Sequence, residues 1–158
     1  MKRFIKYFLC LLISLCVFAG TGCGFDIFGS GSGSGAGSDA PLIIRMLDIG
    51  QGDAILIERN GKFALIDTGD VEHRPRMAEY LRKYGVKKVD TVIITHPHGD
   101  HIGGMFSVFA NAEIRQVYDN GVPTSLSTYK TYRKILVKRK IPRRTLRGGE
   151  KIQFFLKF

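Results

Sequence analysis

Six consecutive residues pack together three imidazoles and a carboxylate: His96-Pro97-His98-Gly99-Asp100-His101. Three of the four histidines in the 158-residue sequence fall inside this stretch. Imidazole nitrogens and carboxylate oxygens are the donors a zinc-like divalent ion accepts, at about 2.0–2.2 Å. His96 and His98, two residues apart, can address one cation, and Asp100 and His101 a second. Such an ion lowers the pKa of a water molecule to about 7, so the spacing points to hydrolysis at neutral pH. The competing reading, a polar surface loop that happens to be rich in histidine, is weakened by what stands in front of the motif.

That is Val92-Ile93-Ile94-Thr95, a β-branched run that reads as a buried strand. Pro97 and Gly99 forbid its continuation, which places the polar cluster on a tight loop at the strand's carboxyl end. Three strands are expected upstream, over residues 42–47, 54–58 and 62–66. Asn60-Gly61 is a hairpin signal between the last two, and together they form an antiparallel meander. The third strand ends in Asp67-Thr68-Gly69-Asp70. A helix is predicted over residues 75–84, with Met77, Tyr80, Leu81 and Tyr84 at i, i+3, i+4 and i+7. The metal-edge strand then covers 89–95. Beyond the motif come a helix over 102–110 (Met105, Phe106 and Phe109 inward), a strand over 114–118, a helix over 125–140, and a hairpin-like ending in which 145–146 and 152–156 flank Gly148-Gly149. His73 is read as a surface-loop residue.

The net charge of +10 is unevenly placed. Residues 130–158 hold 11 Lys+Arg and one acid, Glu150, whereas residues 1–129 are balanced. A basic segment of this kind suits nucleic-acid phosphates, anionic lipid or plain solvation. All three cysteines, Cys10, Cys16 and Cys23, lie in the first 23 residues, so the folded part has neither a disulfide framework nor a thiolate ligand.

Residues 1–23 have the form of a signal peptide. Lys2, Arg3 and Lys6 precede an 11-residue, largely apolar run over 8–18, too short to span a bilayer comfortably. Ala19-Gly20-Thr21-Gly22 then leads into Cys23. This resembles a bacterial lipoprotein signal, and the resemblance implies export, lipidation at Cys23 and a membrane anchor on the extracytoplasmic face. An ordinary secretory signal or a short anchor is the alternative. Residues 24–40 form a Gly/Ser-rich linker, and residues 41–158 form the folded domain.

In this setting the string Thr95 to Gly104 resembles the metallo-β-lactamase fold superfamily, over residues 42–157. Leu47-Asp48-Ile49-Gly50-Gln51-Gly52-Asp53 and Val117-Tyr118-Asp119-Asn120-Gly121 are similar to its ComEC-like branch, the hydrolase domain of bacterial DNA-uptake proteins. The resemblance implies an α/β fold, an αβ/βα sandwich of which the N-terminal αβ half is present. It implies that His96 and His98 bind a first metal, Asp100 and His101 a second, and that Asp100 also serves catalysis by orienting the attacking water. Asp67 would steady the ligands from behind. Asp48 and Asp53 stand either as rim residues with a role or as turn-forming acids. The implied cofactor is Zn2+, up to two ions, with Mn2+ as a substitute; the implied substrate is a phosphodiester, hence nucleic acid.

Members of the family carry further histidines and a bridging acid downstream, whereas residues 102–158 contain no histidine. The expectation is therefore a chain cut to its N-terminal half. Two alternatives stay open: a hydrolase of small substrates such as a lactam, lactone or thioester, and a non-catalytic lipoprotein remnant.

Overall fold

The computed structural model describes residues 40–153. The expected signal segment, Cys23 and all but the last residue of the linker lie outside those residues, as does the apolar stretch 154–158. Among the described residues no helix is long and apolar enough to cross a membrane.

Strands β1 (Ile43–Met46), β2 (Ile55–Arg59) and β3 (Lys62–Ile66) form the expected antiparallel meander. From β3 onward the sheet turns parallel. β3 pairs with β5 (Thr91–Ile94), β5 with β7 (Val117–Asp119), and β7 with β8 (Arg143–Thr145), giving the order β1-β2-β3-β5-β7-β8. Parallel neighbours need a crossover, usually a helix. Helix α1 (Arg74–Lys83) supplies the first, α2 (Gly99–Ile102) and α3 (Met105–Asn111) the second, and α4 (Ser127–Lys138) the third.

Each expected middle strand is two short ones. β4 (Lys88–Val89) and β6 (Glu113–Ile114) leave the main sheet and pair with each other in parallel, and the Asp90 N–H bonds back to the Phe63 carbonyl. The second arm of the anticipated closing hairpin, 152–156, lies mostly outside the described residues. β8 pairs in parallel with β7 and the Leu146 N–H continues that ladder to the Asp119 carbonyl, while residues 146–153 contain no strand. A continuous parallel edge was open to β8.

α1 follows its sequence signals. Pro75 sits in its first turn, Arg82 and Lys83 in its last, and Met77 and Leu81 are buried. The motif helix starts earlier than expected, at Gly99, because the N–H groups of His101 and Ile102 both bond to the His98 carbonyl. Phe106 does not join the inner face; it lies under the Arg74 guanidinium, 4.0 Å from its ring centroid.

Register explains the core. The row Leu56, Leu65, Val92, Val117 is at most 1% exposed. The adjoining row on the opposite face, Met46, Ile55, Ile66, Ile93, Tyr118, holds no buried residue, and Met46 is 71% exposed. Arg45, on the side of the dry row, lies over the Tyr84 ring at the end of α1, so the helices cover that side of the sheet. At the carboxyl end of β7, Asp119 is buried and grips Arg143 through both oxygens. Burial opposes the Arg143 charge, but the Asp119 carboxylate outweighs it and raises the guanidinium pKa. Burial, then the Asp119 charge, push the fully buried Tyr132 phenol up as well.

Candidate metal centre

β3 and β5 run in the same direction and lie side by side, with Ile66 opposite Ile93. Whatever follows each strand therefore emerges at the same edge of the sheet, where ligands of open α/β sheets gather. Asp67 follows β3; Thr95 to His101 follow β5. β2 enters the sheet at that edge too, Ile55 facing Ile66, which brings the 47–54 loop alongside. Three segments distant in sequence thus meet without any long excursion of the chain.

Asp67 is the hub. It is 1% exposed and adopts a left-handed backbone (φ 52°), which Asp tolerates better than most residues. Its Oδ1 accepts the Thr95 N–H at 2.8 Å, and its Oδ2 accepts the Thr95 hydroxyl at 2.5 Å and the His101 Nδ1–H at 2.8 Å. With Nδ1 committed as donor, the lone pair of His101 is on Nε2, which faces Asp100 Oδ2 at 3.7 Å. The Thr95 hydroxyl has donated its only proton to Asp67, so at 3.1 Å it must accept from His96 Nδ1. That leaves the His96 lone pair on Nε2 as well. A single carboxylate thus sets two imidazole tautomers, one directly and one through a threonine.

His96, Asp100 and His101 each place one donor atom within 4.8 Å of the other two, and the His96 and His101 ring centroids are 3.8 Å apart. Two imidazoles and a carboxylate, with both free lone pairs accounted for, fit a divalent cation; catalytic zinc takes three protein donors and keeps one position open. Asp53, Asp67 and His101 form a second close group. Its Asp67 oxygens and its His101 Nδ1 are already engaged in the bonds above, so it is the poorer seat for an ion.

The sequence residues therefore regroup. His98, expected to pair with His96, is exposed and belongs to neither donor group, although its ring lies 4.7 Å from that of His96. It lines a cavity of about 470 Å³ with Gln51, Asp70, Glu72, Asp100 and Leu126. Asp53 reaches the centre, whereas Asp48 turns to solvent and pairs with Arg76 at 3.2 Å. His73 is not a free loop residue. Its Nδ1 and backbone N–H both bond Asp70 Oδ1 at 2.8 Å, directly ahead of α1. Burial works to raise the Asp70 carboxyl, but these His73 bonds and the His73 charge prevail and hold it below the usual range. Sequence reasoning missed Thr95 altogether. The only signal was its position, a polar residue between the apolar end of β5 and His96.

Close backbone contacts hold the segments together. The Thr68 N–H and hydroxyl both bond the His101 carbonyl at 2.9 Å, the Gly69 N–H bonds the Asp53 carbonyl at 2.8 Å, and Arg74 Nε donates to the Gly103 carbonyl at 2.9 Å. A Cβ on Gly104 would meet the Thr68 carbonyl oxygen at 1.9 Å. Gly52 is constrained twice, by a φ of +96° and by the Asp100 carbonyl oxygen, 1.9 Å from where its Cβ would be. Gly52→Ala is expected to cost roughly 2–4 kcal/mol, left-handed strain plus overpacking, and to lower metal affinity by pushing Asp100 away. Gly61→Ala, at φ +68° with nothing within 4 Å, should cost only about 1–2 kcal/mol and leave metal uptake intact. Thermal melts and zinc titration of the two variants check both statements.

Comparison with known proteins comes to the same place. A family model described as the metallo-beta-lactamase superfamily matches residues 47–137. The chain is 38% identical over 76 residues to recombination protein 2 of Haemophilus influenzae, a match covering 43% of this chain and 10% of that protein. It is 36% identical over 67 residues to ribonuclease Z of Bradyrhizobium diazoefficiens, covering 42% of this chain and 21% of that one. The chain thus spans about a tenth to a fifth of these relatives' length. Among solved structures, the metallo-beta-lactamase SMB-1 bound to 2-mercaptoethanesulfonate aligns over 70% of this chain and 46% of its own, with a TM-score of 0.50 and 20% identity, a likeness of fold.

Proposed function

Because the chain belongs to the metallo-beta-lactamase superfamily, we propose that it is a divalent-metal hydrolase of nucleic-acid phosphodiesters, of the ComEC-like kind. The observation that carries this reading is the grouping of His96, Asp100 and His101, whose donor atoms lie within 4.8 Å of one another, with both imidazole lone pairs left on Nε2 by the Asp67 and Thr95 bonds. These three residues would hold the ion, zinc or manganese. When bound, it supplies Lewis acidity and a water that ionises near neutral pH.

The remaining work belongs to the chain. Asp67 keeps the His101 ring in one orientation and, through Thr95, the His96 ring. The Asp100 side chain is 34% exposed at the cavity wall, so one carboxylate oxygen can accept a proton from an incoming water and aim its oxygen at substrate. The exposed His98 and Gln51 amide face the same cavity and can bind substrate oxygens. Nucleic acid as substrate is favoured by the names of two similar proteins, a recombination protein and a ribonuclease. The same reading puts the domain on the extracytoplasmic face, tethered through a lipidated Cys23; its support is the order of charged, apolar and small residues over 1–23.

A second reading, hydrolysis of a small lactam, lactone or thioester, draws on the lining of the cavity. Asp70, Glu72 and Asp100 line it with no Lys or Arg among them, a poor welcome for a polyanion. Purified full-length chain, loaded with zinc or manganese, is assayed on bis(p-nitrophenyl) phosphate and on a chromogenic β-lactam. Turnover of the diester supports the proposal, turnover of the lactam alone supports the second reading, and failure of both with less than one ion retained per chain leaves a non-catalytic lipoprotein.

A further inference from the structure

We propose that the outer face of α4 is a track for the phosphate backbone of a single-stranded nucleic acid, leading into the cavity beside His98 and Asp100. The proposal rests on the nucleic-acid reading of the site for the direction in which the track leads. Its evidence is a row of cations that the fold itself does not use.

Tyr132 and Leu136 are the buried residues of α4. On its outer side lie Lys130, Arg133, Lys134 and Lys138, at i, i+3, i+4 and i+8, and none of them is in an ion pair among the described residues. The contrast with α1 is direct: there Arg76 pairs with Asp48, and Arg74 bonds the Gly103 carbonyl. Residues 120–149 contain no acid, and Asp119 just before them is buried against Arg143. Like charges four residues apart, Lys130 with Lys134 and Lys134 with Lys138, destabilise a helix. α4 also has no acid in its first turn to satisfy the helix dipole. A polyanion laid along this face relieves both penalties.

Position selects the partner. The Lys130 N–H bonds the Leu126 carbonyl at 3.0 Å, so Lys130 stands one turn beyond Leu126 on the same side of the helix, and Leu126 lines the cavity at His98 and Asp100. Successive cations at i+4 are about 6 Å apart along the axis. The row therefore runs from the cavity rim outward, as a strand must to present one of its phosphodiesters at the site. Arg133, Lys134, Val137 and Lys138 enclose a shallow depression of about 370 Å³ in which Val137 is 72% exposed, an apolar seat for a base between phosphates.

The test is binding of a fluorescein-labelled oligothymidylate to the full chain, wild type against the triple variant Lys130→Gln, Lys134→Gln, Lys138→Gln, over a range of salt. The expected result is at least a tenfold loss of affinity and a fall of roughly 2 in the salt slope, about 0.7 for each lost contact to a single strand. Thermal melting should be unchanged or slightly raised. The titrations are run with EDTA present, so that binding by the track is read apart from the hydrolytic reading of the site. Absence of binding by wild type, or equal affinity and slope in the triple variant, overturns the proposal. So does a loss confined to phosphatidylserine vesicles, which would assign the face to a membrane.

Discussion

Asp67→Ala is expected to destabilise the domain by roughly 3–5 kcal/mol, mostly from donors left without their charged acceptor at about 1–3 kcal/mol each, and to abolish tight metal binding at the same time. Three donors lose their acceptor together: the Thr95 N–H, the Thr95 hydroxyl and His101 Nδ1. Alanine must also take up the left-handed backbone that Asp67 adopts at φ 52°, a strain of about 1–2 kcal/mol. Asp67→Asn separates the two losses. Asparagine tolerates that backbone, and its carbonyl can still receive the Thr95 N–H. Its NH2 group cannot accept from the Thr95 hydroxyl or from His101. The amide variant should therefore stay folded with a smaller loss of Tm, while its zinc affinity falls 10–100-fold, the usual effect of removing a group that orients a ligand. Chemical denaturation and competitive zinc titration of both variants measure it. Equal zinc affinity in wild type and Asp67→Asn would show that Asp67 does not set the imidazole tautomers.

His96→Ala is expected to remove metal uptake more completely than any orienting substitution, because it deletes a donor of the three-residue group and leaves only Asp100 and His101. Stability should change little by comparison, since the His96 side chain is only partly buried and its one bond runs to the exposed Thr95. His98→Ala is the informative partner. If the two histidines formed a half-site, as their spacing suggests, the two alanine variants would lose zinc alike. The arrangement of the rings predicts that His98→Ala retains most of it. Zinc content after dialysis against a weak chelator distinguishes these outcomes, and full retention by His96→Ala would refute the assignment of the centre.

The contrast between those two histidines shows what a linear motif conveys. Spacing told that His96, His98, Asp100 and His101 belong together, because Pro97 and Gly99 keep them on one short segment at a strand's end. It could not tell which lone pairs converge, since that depends on Thr95 and Asp67, and Asp67 is 28 residues away from Thr95 in sequence. The antiparallel meander was legible from short apolar runs and Asn60-Gly61, both local signals. The parallel placement of β8 was not. Arg143–Thr145 has no strand-like hydrophobicity, and it joins the sheet because the edge of β7 offers it partners and Asp119 holds Arg143. The break between β4 and β5 escaped for a similar reason: Val89 to Thr95 read as one run, and only a pairing with distant Glu113-Ile114 draws Val89 aside together with Lys88.

The uneven sheet carries one more consequence. A residue on the row of Leu65 and one on the row of Met46 are neighbours in sequence terms yet answer to different solvents. Shortening Leu65 digs a hole among packed side chains. Exchanging Met46, 71% exposed, for threonine takes apolar surface out of water and adds a β-branched side chain to the strand. Solubility and foldedness can thus be adjusted separately, the first along the row of Met46 and the second along the dry row of Leu65.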